Sequence, residues 1–123
     1  MWLFCKSGMF SAVKHNKKDG VLLVRTRLVG DLEKLFKAHG LEKKYKAVET
    51  PDADYRFRVE MAVSDWVKCV SEEAASIDYG NFKNGVHDGT ARDSAYMGCW
   101  TSMREAQEEQ MYGNLDKKGA WTW

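Results

Sequence analysis

The chain has little of what usually assigns a protein to a class. No apolar run approaches the roughly 18 residues that a membrane-spanning helix needs. The opening Trp2-Leu3-Phe4-Cys5 is cut off by Lys6 before it could form a signal-peptide core. A cytoplasmic protein without a membrane partner is therefore expected. Cysteine is scarce: Cys5, Cys69 and Cys99 are odd in number and widely spaced, which fits neither a disulfide framework nor a zinc site and makes reduced thiols the default. Proline occurs once, at Pro51, and the net charge is only +1. With 44% hydrophobic and 30% charged residues in a chain of 123, these values fit one compact domain over residues 1–123, with 111–123 as a flexible tail.

Catalytic signatures are missing as well. The sequence holds no glycine-rich phosphate loop, no G-x-S-x-G elbow, no H-E-x-x-H and no C-x-x-C. No catalytic residue, cofactor or metal is assigned on this basis. His87-Asp88 and the pair Asp52 and Asp54 lack further ligands at a recognisable distance, so they read as loop residues. Cys69 and Cys99 lie on or beside helical apolar stripes, where a cysteine behaves as a small buried hydrophobe.

What is present is an uneven charge distribution. Residues 1–46 carry 11 Lys and Arg against 4 Asp and Glu, a balance of +7, while residues 47–123 carry 8 against 14, a balance of −6. Such a split either marks surfaces steered toward oppositely charged partners or forms two solvated surfaces that partly neutralise each other.

Local patterns suggest the elements. Trp2 to Cys5 and Met9 to His15 are β-compatible stretches separated by a Ser7-Gly8 turn. The loop Asn16-Lys17-Lys18-Asp19-Gly20 gives the clearest hairpin signal, leading into Val21 to Leu28 with Leu22, Val24, Thr26 and Leu28 on the core face. Gly30-Asp31 opens a short helix with Leu32, Leu35 and Phe36 at helical spacing, and Gly40 ends it. Residues 41–54 are polar and read as an exposed connection. Tyr55, Phe57, Val59 and Met61 alternate with Arg56, Arg58 and Glu60, a half-buried strand. Ser64 is then expected to cap a helix with the stripe Trp66, Val67, Val70, Ala74 and Ile77. Asp78 to Gly89 is the least assignable segment, with room for one helical turn through Phe82 and Val86. Thr90-Ala91-Arg92-Asp93 resembles a capping box, opening a helix with the stripe Tyr96, Cys99, Trp100 and Met103.

The expected fold is therefore α+β: a small, mostly antiparallel sheet of about four strands with two or three helices packed on one face.

Three parts of the chain, WLFCKSGMFSAV with LLVRTRLVGDLEKL, then ETPDADYRFRV, then SIDYGNFKNGV with AYMGCWTSM, resemble a group of small uncharacterised proteins from bacteria and their phages. The resemblance covers roughly residues 1–104. It implies a single domain in a bacterial or phage setting, and it implies no activity.

Two binding readings follow. In the first, the chain is a non-enzymatic protein that occupies a surface on another protein, a phage-derived modulator of a host process, with Tyr79, Asn81, Phe82 and Lys83 as contacts and Trp121 and Trp123 as anchors. Tyr79 and Phe82 would equally serve to close the core between two helices. The acids Asp65, Glu72, Glu73, Asp78, Asp93, Glu105, Glu108 and Glu109 would supply an acidic helical surface suited to a basic groove. In the second, Arg25, Arg27, Arg56 and Arg58 share the uncovered sheet face and bind nucleic acid, unless acids such as Glu60 pair them. An uncovered sheet face or edge also leaves a homodimer open. An enzyme would need a fold-assembled pocket gathering a histidine, an acid and a cysteine.

Overall fold

The computed structural model describes residues 1–112, so Trp121 and Trp123 lie outside the described residues. The chain forms two compact units, one of residues 1–78 and one that begins at Tyr79.

The first unit is built on strands β1 (Trp2–Cys5), β2 (Gly8–Lys14), β3 (Val21–Thr26), β4 (Val48–Glu49) and β5 (Phe57–Ala62). They pair antiparallel in the order β1-β2-β3-β5-β4. Two helices complete it, α1 (Asp31–Ala38) and α2 (Val63–Ala75). The architecture is α+β as expected, with five strands rather than about four. The additional strand is Val48–Glu49, two residues within the connection over 41–54. That connection is less exposed than its polarity suggests, because Leu41 is buried and Tyr45 packs against the core. The Tyr45 hydroxyl donates to Asp65 and accepts the Ala62 N–H, fastening the segment to the start of α2.

Register decides the faces. Val24 lies opposite Ala12 and Val59, and Leu22 opposite Met61, so these side chains share one face with Cys5 and Phe10. That face is covered by Leu32, Leu35 and Phe36 of α1 and by Trp66 and Cys69 of α2, forming the core. The Asp19-Gly20 turn forms as expected, with Gly20 at φ 71°, a conformation glycine adopts without a Cβ penalty. Leu28 falls beyond the end of β3 and is exposed.

Three further expectations differ from the structure. The buried face of α2 is Trp66, Cys69 and Val70 rather than the stripe through Val67, Ala74 and Ile77, all three of which are exposed. The helix starts two residues earlier than expected, with Ala62 at the N-cap and no side-chain cap from Ser64. Tyr55 precedes β5 in a bend, so it loses the alternation phase of Phe57, Val59 and Met61. It is buried outside the core cluster, with the Arg25 and Arg27 guanidiniums 4.4 and 4.1 Å from its ring centre.

The second unit contains α3 (Phe82–Gly85) and α4 (Ala91–Tyr112). Helix α4 extends to Tyr112, one residue beyond the proposed start of the tail. Among the described residues no helix is long and apolar enough to cross a membrane.

Candidate functional site

The second unit begins with an aromatic stack. The Tyr79 and Phe82 rings are 5.6 Å apart, and Phe82 stacks on Tyr96 of α4 at 5.6 Å. Asn81 caps α3, its side-chain oxygen accepting the Asn84 N–H at 3.2 Å. At the start of α4, Asp93 accepts the Gly89 N–H at 3.2 Å and receives His87 Nδ1 at 2.7 Å, while its own N–H reaches Thr90 Oγ1 at 3.4 Å. This is the expected box with the shorter acid reaching one residue further back. His87 and Asp88 are thereby occupied in the helix start, Asp88 holding the Thr90 hydroxyl and N–H.

Tyr79 and Phe82 are half-buried and packed on each other, and Phe82 also on Tyr96, within their own unit. Lys83 lies over the Trp100 ring at 5.4 Å, with Arg104 at the same distance. Of the expected contacts only Asn81 is fully exposed, and it is engaged in the cap.

The accessible surface lies further along α4. The expected stripe Tyr96, Cys99, Trp100 and Met103 is not covered as a unit: Tyr96 is buried, Cys99 is exposed, and Trp100 and Met103 are 43% and 66% exposed. Helical spacing places Trp100, Met103, Gln107 and Met111 on the face that carries Tyr96. The first turns of that face are packed by Phe82, and the later turns run past their packing partner, leaving Met111 59% and Tyr112 81% exposed. Beside this stripe Arg104 and Glu108 form an i,i+4 pair at 2.9 Å, while Glu105 and Glu109 make no ion pair among the described residues. The sequence carries this signal as apolar residues that continue at helical spacing after the cap, Trp100, Met103 and Met111.

The arginines of the sheet meet different fates. Arg27 donates to Asp54 Oδ1 at 3.3 Å and to the Asp54 carbonyl at 2.8 Å. Arg56, which precedes β5, pairs with Glu49 at 2.7 Å. Arg25 and Arg58 are Cα partners across β3 and β5. Arg25 donates to Ser11 Oγ at 3.0 Å, and Arg58 to Thr50 Oγ1 at 3.0 Å and the Tyr55 carbonyl at 3.2 Å. Glu60 does not pair an arginine. It takes Lys18 at 2.7 Å and His15 at 2.9 Å, and these two hydrogen bonds hold its carboxyl below the usual range.

A third cluster brings together a histidine, acids and a cysteine. Buried His39 places Nδ1 2.6 Å from Glu72 and Nε2 3.0 Å from Glu73, and Ser7 Oγ donates to Glu73 at 2.9 Å. Cys5 Sγ lies 3.1 Å from Ser7 Oγ and donates to the Gly8 carbonyl at 3.4 Å. Burial pushes the Cys5 thiol up, and the histidine contacts the acids rather than the sulfur. Among the described residues, these contacts of Cys5 and Ser7 run to each other, to the Gly8 carbonyl and to Glu73, and His39 meets Glu72 and Glu73, so no nucleophile–histidine dyad is formed by them. Its geometry ties the β1–β2 turn and the end of α1 to α2. Among the described residues no group of His, Cys, Asp and Glu has the geometry to hold a metal ion.

No family model, curated protein or solved structure matches the chain.

Proposed function

We propose that the chain is a non-enzymatic macromolecule-binding protein that acts through protein–protein contacts and, on the resemblance to bacterial and phage proteins, a phage-derived modulator of a host process. The observation that carries the reading is the exposed stripe Trp100, Met103 and Met111 on α4, whose last buried side chain among the described residues is Tyr96. Exposed methionines and tryptophans at helical spacing are the anchors of helix-in-groove recognition. Glu105, Glu108 and Glu109 border the stripe, so the complementary partner is a protein groove with an apolar floor and a rim of Lys and Arg.

Nucleic acid is the weaker reading, because two of the four sheet arginines, Arg27 and Arg56, are paired with Asp54 and Glu49. The test is capture from nuclease-treated bacterial lysate with wild-type chain and Met103→Asp in parallel. A protein held by the wild type and lost with the variant supports the reading. Equal recovery by both removes α4 as the contact surface.

A further inference from the structure

We infer that the outer face of the sheet holds a binding site for a small phosphate-class oxyanion, gripped by Arg25 and Arg58. The inference rests on residues 1–78 and is independent of the α4 surface.

Arg25 and Arg58 stand directly opposite each other on adjacent strands. Like charges in this arrangement repel and destabilise a sheet. Both side chains are half-buried, which weakens solvent screening. An ordinary fold offsets such a pair with a carboxylate. Here neither guanidinium has a carboxylate partner among the described residues, and both donate only to neutral oxygens, those of Ser11, Thr50 and the Tyr55 backbone. The neighbouring acids are committed elsewhere: Asp54 to Arg27, Glu49 to Arg56, and Glu60 to Lys18 and His15.

The surroundings leave room for a ligand. Arg58 lines an open concavity together with Lys44, Lys46, Val48 and Glu60, while Arg25 stands outside that lining, across the strand pair from Arg58. Lys44 is drawn to Asp65 at 2.8 Å, whereas Lys46 is exposed and has no acidic partner among the described residues. Arg25 and Arg58 side by side, with Lys46 in the concavity next to Arg58, bring positive charge without an acidic partner among the described residues, which suits a dianion better than a monoanion. A guanidinium fork matches a tetrahedral oxyanion bidentately. The Tyr55 ring lies under Arg25 at 4.4 Å and limits that guanidinium's freedom, which lowers the ordering cost of binding. The ligand is thus a free phosphate or the phosphoryl group of a small phosphorylated molecule.

The test is titration of the full chain with inorganic phosphate at constant ionic strength, followed by amide chemical shifts, with sulfate, acetate and a single-stranded oligonucleotide as parallel probes. Saturable phosphate binding is expected, with shifts centred on residues 25 and 58 and acetate binding more weakly. Arg25→Gln and Arg58→Gln should each weaken it about tenfold, the loss of one charge-assisted fork. Arg56→Gln, which removes an arginine already paired with Glu49, should leave it unchanged. Arg58→Lys keeps the charge without the fork and should fall between wild type and Arg58→Gln, which separates loss of ligation from loss of fold. Absence of saturation, or equal weakening by Arg56→Gln, overturns the site. Oligonucleotide binding without phosphate binding overturns it in favour of a nucleic-acid backbone.

Discussion

His39 Nε2 meets Glu73 Oε1 at 3.0 Å while the opposite ring nitrogen meets Glu72 at 2.6 Å, so one buried side chain joins the end of α1 to two successive residues of α2. Lys68 adds a bond from the same helix to the His39 carbonyl at 2.7 Å. Replacing the ring leaves Glu73, which is largely buried, with only the Ser7 hydroxyl. His39→Ala should therefore lower unfolding stability by roughly 1–3 kcal/mol, the cost of stranding a buried polar group. Urea denaturation measures it, and a loss under about 0.5 kcal/mol would show that the clamp is ornamental.

Acid should weaken the first unit. The carboxyls of Glu60, Asp65 and Glu72 are all held below their ordinary values, by hydrogen bonds first from Lys18, Lys44 and His39 respectively. A carboxyl depressed on folding stabilises the native state above its unfolded pKa and loses that contribution as pH falls through the folded value. Melting temperature should be level above about pH 5 and decline below about pH 4, where unfolded carboxyls titrate. The decline should be shallower in Glu60→Gln. An acid limb unchanged in that variant would contradict the assignment.

The three thiols should separate by accessibility. Cys99 is exposed, Cys5 is buried, and burial first and foremost pushes the Cys69 thiol up to about 11. A thiol reagent near pH 8 should modify one cysteine quickly and the other two only on unfolding, because the thiolate is the reactive form. Peptide mapping that finds Cys69 among the fast sites would contradict the packing of α2. The raised Cys69 value also predicts a loss of stability as pH rises from the ordinary thiol range toward about 11.

Much of the sheet is legible in the sequence because its signals are local. The Asp19-Gly20 turn, the alternation through Phe57, Val59 and Met61, and the spacing of Leu32, Leu35 and Phe36 each determine an element within a few residues. What is not legible depends on partners distant in the chain. The buried face of α2 is chosen by where the sheet lies, so Cys69 and Val70 point inward while Val67 does not. Tyr55 looks like the first residue of an alternating strand, yet a bend before Phe57 releases it from that phase. The committed arginines could not be told from the uncommitted ones, because Asp54 and Glu49 reach Arg27 and Arg56 through the fold. The aromatic loop displayed its residue types openly, but whether Phe82 faces solvent or Tyr96 is a tertiary fact.

Gly98 sits inside α4, and a Cβ built there meets nothing within 4 Å. Gly98→Ala should stabilise the free chain by roughly 1 kcal/mol, the usual propensity difference in an exposed helix. Thermal unfolding followed by helical circular dichroism checks it. A destabilised variant would mean that another part of the molecule approaches the helix at this position.

The most direct measurement of the α4 surface is comparative capture of a bacterial protein by the wild-type chain, Met103→Asp, Trp100→Ala and the control Val29→Asp, with unchanged circular dichroism verified for each. Met103 and Val29 are both exposed apolar residues, so the pair isolates location from hydrophobicity. The expected result is a nuclease-resistant partner that is retained by wild type and Val29→Asp, lost with Met103→Asp and Trp100→Ala, and released by salt as the acids of α4 are screened. Retention of that partner by both α4 variants would contradict it.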